Sequence, residues 1–195
     1  FGTSAAKVWA IGNGTAPTTS PTDNVQIWAQ DTVAGQSNLY TRNENGKSEQ
    51  LTGLADRVST QFDKTSDTTL ANITGLSHNV EAGKAYAFEA ILYTTSGSSG
   101  GVKFAISGSA TATSVVYAAR VSETNSVAVG TARATALGSV VGDVTAVTVA
   151  TCTINGTIVV NAAGTLTVTF AQNVANGTTS SVLVGSVFIL TPVGD

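Results

Sequence analysis

A chain of 195 residues is long enough for one good-sized core, or for a core with a smaller appended piece. Its 9 Lys and Arg against 12 Asp and Glu give a net charge of -3 and a pI near 5.0, and the cations are scattered, which excludes the concentrated basic patch that nucleic acid demands. No apolar run reaches membrane-spanning length, and the abundance of Gly, Ala, Ser, Thr and Val with only 11% charged residues points to an all-β chain with many turns.

In chain order, Lys7–Ile11 reads as a first short strand, followed by a breaker-rich loop from Gly12 to Pro21. Val25–Gln30 alternates, with Val25, Ile27 and Ala29 on one side and Trp28 on the other. Asn38–Arg42 and Lys47–Leu51 flank Asn43-Glu44-Asn45-Gly46, a hairpin turn in which Asn45-Gly46 is expected to supply positive φ angles. A few short strands with Trp9 and Trp28 make too small a core to stand alone, so this region is expected to intertwine with copies of itself or to pack on a support. Residues 1–56 are therefore read as a small N-terminal β unit and attachment region, with a connector over Thr52–Ser59, and residues 57–195 as the main domain.

The main domain shows strand signals at Thr60–Asp63, Thr69–Ile73, Glu81–Tyr93, Gly101–Ser107 and Ala112–Tyr117, with a turn at Gly75 and a loop over Ser96–Gly101. In the clearest of these, Tyr86, Phe88, Ala90 and Leu92 share one face, while Ala85, Ala87, Glu89, Ile91 and Tyr93 share the other. The second face is only half polar, so a second sheet or another copy of the chain is expected to cover one end of it, the first hint of an oligomer. Ser122–Gly142 reads as loop and strand, although its alanines would permit a short helix at Ala132–Leu137. Four further strands are expected over Val144–Ile154, Gly156–Val160, Gly164–Phe170 and Ser181–Leu190, with turns at Asn155-Gly156, Ala163-Gly164 and Asn176-Gly177. Eight or so strands at this spacing predict a two-sheet sandwich, most simply a jelly roll.

Sixteen of the 21 charged residues lie between Lys7 and Lys103, leaving Arg120, Glu123, Arg133, Asp143 and Asp195 for the rest. A monomer's surface normally carries more charge than that, so neighbours are expected to cover much of the second half. Cys152, alone and in a strand-like run, reads as a small buried hydrophobe. The chain begins at Phe1 and has no Met, from which a missing N-terminal portion is expected.

Candidate chemistry is sparse. His78 is the single histidine, beside the expected Gly75 turn; it reads as a surface or interface residue, because no nucleophile-elbow pattern frames any serine. Gly46-Lys47-Ser48 copies the end of a phosphate-binding loop, but Thr41 stands where that motif needs glycine; Gly83-Lys84 fails the same test at His78. Asp63 with Asp67, or Glu81 with Glu89, could be paired for glycoside cleavage, but their sequence spacing does not establish the required separation. The spacing matches no zinc or calcium site, and no cofactor is expected. Trp9, Trp28, Tyr40, Tyr86 and Tyr93 are large enough to anchor an interface; Trp9, Trp28, Tyr40 and Tyr93 are the candidates for subunit contacts.

Four stretches, Gln61–Leu76, Val80–Glu89, Gly101–Thr113 and Asn161–Gln172, resemble a C-terminal module of tailed-bacteriophage virion structural proteins. Val25-Gln26-Ile27-Trp28 with Asn38–Lys47 and Leu51 resembles a small β unit that precedes such modules in fibre and decoration proteins. The resemblance implies a homotrimeric, jelly-roll-like component on the outer surface of the virion, without catalytic residues, whose partners are itself and the major capsid protein or another virion protein. It implies a capsid decoration or head-fibre role, or alternatively a tail-fibre module binding a host surface glycan or protein.

Overall fold

The computed structural model describes residues 10–33, 36–51, 54–97, 99–123, 128–145 and 147–194. The chain forms two compact units, Phe1–Thr52 together with Gly194–Asp195, and Gly53–Val193. The described residues contain strands and turns but no helix, including at Ala132–Leu137.

The first unit is an antiparallel meander of β1 (Gln26–Val33), β2 (Gln36–Arg42) and β3 (Ser48–Gln50). Trp28 lies opposite Tyr40, and Tyr40 opposite Gln50. The β2–β3 turn falls at Asn43–Lys47, closed by the Gly46 N–H donating to the Asn43 carbonyl at 3.0 Å. Gly46 alone supplies the positive φ there, at 85°; Asn45 does not share it.

The second unit contains β4 (Leu54–Arg57), β5 (Phe62–Lys64), β6 (Ala71–Val80), β7 (Ala85–Thr95), β8 (Val102–Ser107), β9 (Thr111–Glu123), β10 (Ala128–Ala134), β11 (Val141–Val144), β12 (Val149–Ala162), β13 (Gly164–Ala171), β14 (Ser180–Val182) and β15 (Val187–Gly194). Two antiparallel sheets form a sandwich, one ordered β11-β8-β13-β6 and the other β10-β9-β12-β7, the latter extended by β14, β5, β15 and β4. Strands β6 to β13 thus exchange sheets in the order of a jelly roll. Between the sheets, Phe170 packs on Phe104 and Phe62 with centroids 5.4 and 6.4 Å away, and Phe88 lies 6.3 Å from Tyr117 and 6.2 Å from Phe188. Each such buried side chain contributes about 1.5–3 kcal/mol of transfer free energy.

Other local expectations change as well. The Thr52–Ser59 connector contains β4, which pairs with β15 in register Ile189↔Ala55. β6 continues through Gly75 to Val80; Gly75 takes φ 87° inside the strand, and a Cβ there would lie 2.9 Å from the Arg57 carbonyl oxygen, so both the dihedral and the space call for glycine. Asn155-Gly156 is not a turn. β12 runs straight through it, and Gly156 is needed because a Cβ would strike the Val116 carbonyl and stand 2.6 Å from Tyr117 Cβ and 2.8 Å from Phe88 Cζ. The Ser181–Leu190 run breaks into β14 and β15 at a turn where Gly185 has φ 92° and the Ser186 N–H donates to the Leu183 carbonyl. Both pieces pair with β7.

The loop leaving β13 is held from inside by Gln172, which is fully buried. Its Nε2 donates to the carbonyls of Asn176 and Thr178, and its Oε1 accepts from the N–H groups of Asp67 and Asn176. Asp67 in turn accepts from Lys64 and from the Thr69 N–H at 2.7 Å. These bonds, the Lys64 one foremost, hold its carboxyl down to about 2 against an ordinary 3.8. A folded-state pKa below the unfolded value means a contribution to stability present above about pH 4 and lost as pH falls through about 2. Asp67→Asn should therefore flatten the dependence of the denaturation midpoint on pH between those limits, checked by urea titrations; an unchanged slope would show the pairing to be energetically silent.

Candidate functional site

Alternation along β7, β9 and β12 buries one side of the sheet and leaves the other open. Inward go Tyr86, Phe88, Ala90 and Leu92 of β7, as the periodicity predicted, with Tyr117 and Val121 of β9 and Cys152, Ile154 and Ile158 of β12. The register lines up the outward residues in rows across the strands. One row runs Arg133, Ala118, Asn155, Glu89 from β10 to β7; on either side lie Arg120, Thr153, Ile91 and Val116, Thr157, Ala87, followed by Ser122, Thr151, Tyr93 and Ser114, Val159, Ala85. Tyr93 is 45% exposed, Val149 50%, Val116 38% and Val159 39%.

This is a broad antiparallel face built mainly of threonine, alanine, valine and serine with Ile91, Asn155 and Tyr93, and with Arg133, Arg120 and Glu89 as its charges on β10, β9, β12 and β7 among the residues whose side chains are described. Among the described residues, none of the three charges has an ion-pair or side-chain hydrogen-bond partner. The open apolar side groups have the composition of a surface that gains free energy when covered.

The predicted contact aromatics fall in different places. Tyr93 stands on the open face, while Tyr86 is core. Trp28 and Tyr40 are both about 7% exposed and stack on each other at 5.4 Å with an interplanar angle of 18°, so each covers the other within the meander. The Trp28 Nε1–H donates to Gln30 Oε1 at 3.1 Å. Trp9 lies outside the described residues.

His78 is a correction to the surface reading: it is 4% exposed on β6. Its ring stacks on Phe188 at 5.0 Å, Nε2 lies 3.0 Å from the Phe188 carbonyl oxygen and Nδ1 3.3 Å from Asp56 Oδ2. Both ring nitrogens are occupied in joining β6 to β15 and β4. No sequence signal near His78 announces this, because the partners lie 22 and 110 positions away.

The other candidate chemistry resolves into structure. Gly46-Lys47-Ser48 forms the end of the β2–β3 turn and the start of β3, with Lys47 paired to Glu49. Asp63 Oδ1 accepts from Gln61 Nε2 at 2.8 Å while Asp67 is engaged by Lys64 and Thr69. Cys152 is fully buried, and burial pushes its thiol up to about 12, out of the reactive range. Shallow grooves among the described residues include one lined by Asp23–Val25 and Asn43–Asn45 and another by Ala110–Val115 and Thr135–Leu137; the latter carries no ionisable side chain in its lining. No group of three metal-ligating side chains occurs among the described residues.

No protein-family profile matches the chain, and no curated protein matches it. Among solved structures it is similar to a chain in "Structure of infectious bursal disease virus Gt strain", at 14% identity and a TM-score of 0.20, over 92% of this chain and 62% of that one. The jelly-roll assignment rests on strand order and not on that likeness.

Proposed function

We propose that this chain is a non-enzymatic structural protein of a tailed-bacteriophage virion, a homotrimer on the outer surface of the particle that decorates or stabilises the capsid as a cement or head-fibre protein. The observation that carries the reading is the open face of β10-β9-β12-β7, which offers threonine, alanine and valine with exposed Tyr93 where an isolated domain would place charge. Burying such a face against copies of itself and against the shell is how a protein without a catalytic centre adds mechanical stability to a particle. The resemblance of Gln61–Leu76, Val80–Glu89, Gly101–Thr113 and Asn161–Gln172 to phage virion modules supports the same role.

Two measurements test it. Light scattering of the purified chain at micromolar concentration is expected to give three times the chain mass, and a stable monomer would count heavily against the proposal. Gold-labelled antibody against the chain should decorate the outside of intact particles at the capsid; label confined to the tail tip would move the protein to a fibre that meets the host.

A further inference from the structure

We infer that the open face of β10-β9-β12-β7 is where copies of this chain meet, with the Arg133 and Arg120 side of one copy set against Glu89 of the next. The inference rests on the self-assembly proposed above and specifies its contact. The occupant is argued from charge. The cations stand on β10, the edge strand, and on β9 beside it, and the anion on β7, so the face is positive at one end and negative toward the other. Arg133 and Glu89 occupy the same register row, with Ala118 and Asn155 between them. Three strand spacings put their backbones about 14 Å apart, too far for the two side chains of one chain to neutralise each other by direct contact.

A second copy solves this. Rotation about an axis parallel to β12 keeps every row level, so the β10 edge of one copy meets the next copy at β7 and Arg133 arrives at Glu89 in the same row. Repeated three times, the arrangement closes into a pinwheel whose inner side is the β10-to-β7 width. For a side of about 14 Å, each sheet lies about 4 Å from the axis, near half the ~10 Å spacing of face-packed sheets. Side chains as small as Ala118, Thr153 and Thr157 suit that distance. Beyond β7 the sheet continues into β14, β5, β15 and β4. The pinwheel also covers β10, the edge strand of this sheet among the described residues.

The test uses the full chain and three variants. Glu89→Arg should weaken assembly at least tenfold by dilution light scattering, because it puts like charges together; Glu89→Arg combined with Arg133→Glu and Arg120→Glu should restore it. Asp143→Arg, on the opposite sheet, serves as a control and should leave assembly unchanged. Circular dichroism checks that each variant keeps its strand content. A wild-type trimer that is indifferent to Glu89→Arg, or that the triple swap fails to rescue, overturns this contact while leaving assembly intact. A wild-type monomer overturns both, and a wild-type dimer overturns the pinwheel.

Discussion

Replacing Gly108 with alanine is expected to cost about 3 kcal/mol or more of stability, a large part of the roughly 5–15 kcal/mol that a domain possesses. Gly108 takes φ 132° in the turn from β8 to β9, a backbone region that side chains essentially exclude. Space is equally short: a Cβ there would overlap the Thr165 carbonyl oxygen and lie 2.7 Å from its carbonyl carbon. That carbonyl accepts the Ala110 N–H at 3.1 Å, so it cannot retreat without breaking the bond that ties the turn to β13. Thermal or urea unfolding measures the loss. A midpoint within error of the wild type would mean that the turn relaxes freely and that its geometry is not a constraint.

Phe170→Ala is expected to cost about 3–5 kcal/mol through lost transfer free energy and the cavity left behind. Phe170 is fully buried on β13, the strand paired with both β8 and β6, and its ring lies between Phe104 of β8 and Phe62 of β5. Those neighbours come from both sheets and cannot all close on the void, since close-packed cores relax only partially. Phe170→Leu should recover much of the loss. If alanine and leucine were equally damaging in urea titrations, shape at this site would matter more than volume.

The fold was legible where one period spoke clearly. Alternation through Ala85–Tyr93 assigned both faces of β7, including the half-apolar one that bears Glu89, Ile91 and Tyr93, because a strand's side chains must alternate whatever packs around them. It was less legible where glycine was the signal. Asn45-Gly46 and Asn155-Gly156 are the same dipeptide; the first turns a hairpin and the second lies in a 14-residue strand. The difference is made by Val116, Tyr117 and Phe88, which crowd the second glycine from neighbouring elements. The candidate site was visible only in outline: scarcity of charge in the second half raised the expectation of a covered surface, but the rows of outward residues across β10, β9, β12 and β7 depended on register.

What the sequence by itself determined was the all-β class, the alternation of the longest strands and the deficit of charge, since composition and period act residue by residue. Only the tertiary structure decided that His78 is a buried link between β6, β15 and β4, that Gly108 must be glycine, and that Arg133 and Glu89 stand in one row. Those facts depend on which strands become neighbours, and neighbours across a sandwich are chosen by packing and hydrogen-bond register over separations that no local pattern records.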